Sequence, residues 1–329
     1  MISTKANDCH TIASFYGLNG KKLQRQFKDY LSDFKQWKEK SHAKDWLLFP
    51  ENIGKHLSID EVALSKGELY TILTNKKAKG KAGSIVAIIA GTKAEQVIQY
   101  LYKIPNAKRN KVKEITLDMA NTMKLIVKRC FPKAMQVTDR FHVQKLALDA
   151  LQDIRIKHRW EAIDQENNQI KEAKKDNKTY TPEAFTNGDT LKQLLARSRY
   201  LLYKTQTDWT HKQKVRAQIL FENYPDIKKA YGICQKLRNL FNNKKITKKI
   251  AYTKLAHWFK EVEESGFKAF NIVANSINLN YQSILNYFDN RSTNASAEAF
   301  NAKIKAFRAQ FRGVRNVEFF LYRLIQIFA

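Results

Sequence analysis

Four acidic residues stand where a folded chain could gather them. Asp60 lies in the alternating segment HLSIDEVALS (56–65), on the side of the pleat that carries Ser58 and Val62. Asp118 closes the extended segment EITLDM, and Asp139 sits in AMQVTDRFHV, three residues before His142. Glu298 is the one acid on a helical stripe that otherwise carries Asn294, Asn301, Lys305, Arg308 and Arg312. An acid beside apolar strand residues is costly to bury unless it is paired or holds a cation. Singly, each of the three aspartates reads as a strand-end or turn acid, and Glu298 as part of the solvated side of an amphipathic helix. Jointly they fit the chemistry of a phosphodiester, which needs an activated oxygen nucleophile and a stabilised leaving oxygen. Two Mg2+ ions about 4 Å apart supply both, and such hard cations take oxygen ligands. Three carboxylates make a minimal cage, and surrounding lysines and arginines would hold backbone phosphates.

The elements that must position these acids are legible as patterns. Ser292, Thr293 and Asn294 offer capping oxygens for a helix that meets neither Pro nor Gly before Gly313. On it Ala297, Phe300, Ile304, Phe307 and Phe311 recur at three- and four-residue spacing, so one flank wants a core. From Leu57 the period is that of strands, in HLSIDEVALS, ELYTILTN, SIVAIIAGT, EITLDM and AMQVTDRFHV. Short turns, at Lys66-Gly67 and in the Lys-rich loop NKKAKGKAG, join the first three into an antiparallel meander. Helix-like KAEQVIQYLYKI and NTMKLIVKRCF follow the third and fourth. A β-β-β-α-β-α-β order predicts a mixed five-stranded sheet with helices packed on it.

Beyond Phe141 the pattern is helical for well over a hundred residues, with a polar stretch around 165–178 read as a solvated connection between helices. A last helix follows Gly313, capped by Asn316. At the other end, residues 8–38 read as helix broken at Gly17-Leu18-Asn19-Gly20, the second half carrying Lys21, Lys22, Arg25 and Lys28. That layout is either a helix-turn-helix or a plain helical hairpin.

Composition narrows the partners. The 329 residues hold 59 Lys+Arg against 31 Asp+Glu, a formal charge of +28, and a chain so basic expects a polyanion beside it, nucleic acid first. No apolar run is long enough to span a membrane, and no signal-peptide core opens the chain. Cys9, Cys130 and Cys234 form no CxxC pair and no zinc spacing, which reads as reduced thiols in a cytoplasmic protein.

With strand order, acids and basic helix in view, the chain resembles the RNase H-like DDE transposases. More narrowly, ITLDMANTMKLIVKRCFPKAMQVTDRFHVQKL and NASAEAFNAKIKAFRAQFRGVRNVEFF are similar to motifs of the bacterial insertion-sequence transposases of the ISL3 family. The resemblance implies a fold: an RNase H-like mixed sheet in 51–144, an all-helical insertion in 145–288, closing helices in 289–329, and a helix-turn-helix-like DNA-binding segment in 1–50. It implies Asp60, Asp118 and Glu298 as catalytic acids and ligands of two Mg2+ ions, for which Mn2+ can substitute. Asp139, His142 and Asn301 then stand beside the site, with Asp139 as the competing choice for the second ligand. Phosphate contacts fall to Lys305, Arg308, Arg312, the loop lysines Lys76, Lys77, Lys79 and Lys81, and Lys21, Lys22 and Arg25. The implied partners are double-stranded DNA, as transposon ends and target, and a second copy of the chain on that DNA. The implied place is the bacterial cytoplasm, at the nucleoid. Two departures stand: no cysteines supply the family's N-terminal zinc region, and Ala295 and Ala299 replace residues that are commonly glycine. A nuclease that cuts without joining, and a DNA-binding accessory protein with a decayed site, are the alternative readings.

Overall fold

The computed structural model describes residue 2 and residues 7–65, 68–311 and 316–329. The expected Lys66-Gly67 turn, Arg312 and Gly313 lie outside the described residues. The chain divides into two compact units, Met1–Asp139 with Asn290–Ala329, and Arg140–Asp289.

The first unit is built on one mixed sheet. Its strands are β1 (Trp46–Leu48), β2 (His56–Ser65), β3 (Glu68–Asn75), β4 (Ile85–Ala90), β5 (Glu114–Leu117) and β6 (Met135–Thr138), in the spatial order β1-β4-β3-β2-β5-β6. β2, β3 and β4 form the expected antiparallel meander, and β5 and β6 add to β2 in parallel. The sheet has six strands where the sequence predicts five. The extra one, β1, pairs antiparallel with β4 and comes from residues assigned to the N-terminal segment. Three residues are too few for strand alternation to register.

Alternation along β2 sends its side chains to two cores. Leu57 and Ile59 join a cluster with Val97, Leu101, Ile126 and Val127, from the helices Ala94–Leu101 and Asn121–Cys130. Val62 faces the other way, into Phe300, Ile304, Phe307, Phe320 and Leu324 of the helices Ala295–Gln310 and Val317–Phe328. The helix carrying Glu298 therefore lies on one sheet face, held by the apolar stripe its spacing announced.

The N-terminal helices are short. Asp8 caps Cys9–Phe15 by accepting from Thr11 N at 2.7 Å, and Asn19 caps Gly20–Gln26 by accepting from Lys22 N at 3.0 Å. Gly17 turns the chain between them at φ +67°. Gly20 has a steric reason to be glycine, since a Cβ there would lie 2.3 Å from His10 Nδ1 and 2.9 Å from its Cα. A π-helical turn, Phe27–Leu31, ends the helical stretch, so residues 32–38 are not the continuous helix predicted. Cys9, Phe27 and Phe34 pack on Phe319 and Tyr322 of the last helix.

The second unit is all-helical apart from one isolated bridge, Ala184–Thr190, among the described residues. It opens with a 36-residue helix, Arg140–Lys175. The polar stretch predicted to connect helices is instead the solvated end of this one. Glu, Gln, Lys and Ala are strong helix formers, so their polarity marked exposure and not a break. Buried Asp189 is held by Arg197 and by Arg216 Nε at 2.6 Å. All three cysteines are buried and unbridged, and burial pushes the Cys130 thiol up to about 11. No helix of the described residues is long and apolar enough to cross a membrane.

Candidate active site

The register of the parallel strands sets which residues of neighbouring strands stand side by side. β2 pairs with β5 so that Ser58 faces Thr116. Asp60 stands two residues further along β2, and Asp118 two residues beyond Thr116, just past the end of β5. β5 pairs with β6 so that Leu117 faces Thr138, and Asp139 N donates to Leu117 O at 3.0 Å. Asp60 on β2, Asp118 just after β5 and Asp139 just after β6 thus belong to three neighbouring strands, each about 4.8 Å from the next. Asp118 and Asp139 follow their strands and are not within them. β6 stops at Thr138, and the segment FHV, read as strand, belongs to the first turn of Arg140–Lys175.

The three differ in access. Asp139 is 1% exposed, whereas Asp60 and Asp118 are half-buried. Backbone amides hold one oxygen of each accessible acid: Glu61 N donates to Asp60 Oδ1 at 2.8 Å, and Ala120 N to Asp118 Oδ1 at 2.9 Å. Asp60 Oδ2 accepts from Asn301 Nδ2 at 2.6 Å.

Glu298 is brought alongside by a series of polar contacts. Asn290, just before its helix, donates to Glu114 Oε2 at 3.2 Å on β5. Asn294 accepts from Ser58 Oγ and from Thr116 Oγ1, the latter at 2.6 Å. Asn301 reaches Asp60, and Arg308 Nη1 donates to Ala63 O at 2.8 Å. The helix therefore runs along β2 in the strand's own direction. Glu298 lies on the same stripe between Asn294 and Asn301, four residues after one and three before the other. It is exposed, in the first helical turn, where partial positive charge favours a carboxylate. Asn294 occupies the N-cap position as expected, yet its side chain makes no capping bond, because the sheet hydroxyls take its oxygen.

A fourth acid, Glu61, escapes sequence reading. Burial raises its pKa first, and the charges of Asp118 and Asp60 raise it further. The only signal was the Asp-Glu doublet in SIDEVALS, where strand alternation sends Glu61 to the opposite side of the pleat from Asp60. Among the described residues, no three Asp, Glu, His or Cys side chains form a ready-made metal cluster.

The predicted cations divide by environment. Lys77, Lys79 and Lys81 are exposed, but Lys76 is turned inward, its Nζ buried 3.7 Å from Glu114 Oε1. Burial lowers its pKa, against the opposing pull of Glu114 and Asp139. Lys76 therefore compensates a buried acid and leaves the set of phosphate candidates. Lys305 is exposed, as are Lys21, Lys22 and Arg25 on the helix Gly20–Gln26, whereas Arg308 is engaged with β2. Lys303, on the Glu298 helix, donates to Gly80 O at 2.9 Å and ties that helix to the Lys-rich loop. His142 lies in the second unit, half-buried, its ring 5.6 Å from that of Phe141.

The family model of ISL3-type DDE transposases, described as transposase, matches residues 57–324. The transposase for insertion sequence element IS1001 of Bordetella parapertussis is 22% identical over 274 residues, 82% of this chain and 60% of the relative. The chain thus spans about 60% of the length of that curated relative. Among solved structures, the Drosophila P element transposase strand transfer complex matches at 12% identity and a TM-score of 0.37, over 98% of this chain and 91% of that one.

Proposed function

The chain belongs to the ISL3-type DDE transposases, and on that premise we propose that it cuts DNA at transposon ends and joins the freed 3′-hydroxyl to target DNA. The proposed catalytic acids are Asp60, Asp118 and Glu298, on a sheet we read as RNase H-like. The observation that carries this reading is the parallel register that pairs Ser58 with Thr116, two residues before Asp60 and Asp118, with the Glu298 helix pinned alongside by Asn294 and Asn301. The partial access of half-buried Asp118, against the burial of Asp139, supports Asp118 as the second ligand.

The donor set fits a hard divalent cation. Every candidate ligand is a carboxylate, the oxygen donor that such cations take. When bound, Mg2+ would supply an activated nucleophilic oxygen and neutralise charge on the leaving one. Asp60, Asp118 and Glu298 would hold it, with Glu61 adding to the field. The Glu61 and Ala120 amides fix the two aspartates, and Asn301 orients Asp60 from the far side. Lys305, Lys77, Lys79 and Lys81 are the proposed contacts to backbone phosphates; Lys21, Lys22 and Arg25 would read or clamp DNA from the N-terminal helix pair. We further propose that two copies act together on paired ends, in the bacterial cytoplasm.

Asp60→Asn, Asp118→Asn and Glu298→Gln should each take cleavage of an end-containing duplex below detection while leaving DNA binding in place. A 3′-hydroxyl donor strand in the same assay reads joining, and cutting without joining would reduce the enzyme to a nuclease. Loss of activity in Asp139→Asn with Asp118→Asn still active would move the second ligand to Asp139.

A further inference from the structure

We propose that Asn294 is a positioning residue that fixes where Glu298 stands relative to Asp60 and Asp118; the inference rests on the reading of those three acids given above. Asn294 is fully buried, and its Oδ1 accepts from two hydroxyls on neighbouring strands, Ser58 Oγ and Thr116 Oγ1. Ser58 and Thr116 face each other in the parallel register, and each precedes a proposed ligand by two residues. On the helix, Glu298 is one turn further on, its N donating to Asn294 O at 2.9 Å. One carboxamide oxygen therefore ties together the three segments that carry the three acids.

Stability alone does not account for an asparagine at this position. Its Nδ2 is buried with no hydrogen-bond partner among the described residues. Replacing buried polar partners by apolar groups of the same shape can be nearly neutral, whereas an unmade bond is not. The apolar stripe already binds this helix to the sheet through Phe300, Ile304 and Phe307. A slip of a whole residue would turn the helix by about 100° and lift that stripe off the sheet, so the apolar contacts already exclude it. What they leave open is the finer placement of the first turn, which precedes Phe300 and carries Glu298. An acceptor shared by two hydroxyls on neighbouring strands holds that turn in place.

The test is Asn294→Leu in the full chain, with Mn2+ binding followed by electron paramagnetic resonance beside cleavage kinetics. The expected result is a folded protein with unchanged KM for DNA, Mn2+ affinity weaker by about tenfold, and kcat lower by about a hundredfold. Thr116→Val should lower kcat on its own by about tenfold and add nothing in the Asn294→Leu background, because Asn294→Leu already removes the contact that Thr116→Val deletes. If Asn294→Leu does not fold, Thr116→Val and Ser58→Ala carry the test by the same split between kcat and KM. Wild-type Mn2+ affinity and turnover in Asn294→Leu, with Asp60→Asn and Glu298→Gln inactive, would overturn the positioning role and leave the site standing. Normal cleavage by Asp60→Asn and Glu298→Gln would remove the site, and this inference with it.

Discussion

Glu61 sits half-buried in the field of two aspartates, so its proton is held more tightly than in a free glutamate. A group whose folded pKa is raised lends stability that is complete below its ordinary value of 4.5 and lost as pH rises through the folded one. Glu61→Gln should therefore raise the melting temperature at pH 7–8, on the order of 2 °C, with no gain near pH 4 and no divalent ion present. An equal gain at both pH values would mean that charge is not the cause. Lys76 makes the opposite case. Removing it takes the ammonium away from buried Glu114, which keeps His56 Nδ1 at 3.7 Å, so Lys76→Ala should cost about 3 kcal/mol in denaturant unfolding. Lys79→Ala, at an exposed site on the same loop, should stay within about 0.5 kcal/mol and weaken DNA binding instead.

At the scale of elements, two helices are placed by different means. The Glu298 helix is seated by apolar burial and aligned by polar contacts, a division that leaves its other side open to solvent and substrate. The N-terminal pair depends on close approach at Gly20. Gly20→Ala forces His10 or the helix backbone to shift, at a cost of roughly 1–3 kcal/mol. DNA affinity should fall in that variant while cleavage-site Mn2+ binding is unchanged. Unaltered affinity would detach the pair from DNA recognition.

For the molecule as a whole, the charge of +28 sets the terms of association. Each phosphate neutralised contributes about 0.9 to the slope of log affinity against log salt in duplex DNA. Titrations between 50 and 300 mM salt should give a slope steeper than about −4, and Lys305→Ala should reduce it by about one. A flat response would remove phosphate contacts from the account.

How much of this was legible beforehand follows from which interactions are local. Strand-like runs of a few residues marked β2, β3 and β4, and the three-four spacing of Ala297, Phe300, Ile304 and Phe307 announced a buried helix flank, since both signals are properties of nearby residues. Asp60, Asp118 and Glu298 were picked out by sequence context and resemblance. Tertiary structure alone decided the facing of Ser58 and Thr116, the burial of Asp139, the inward turn of Lys76 and the approach of Glu61 to its neighbours. It also decided that Asn294 spends its oxygen on the sheet and not on its own helix. Each of these joins residues distant in the chain, and strand register and helix seating are set by packing that no local period encodes.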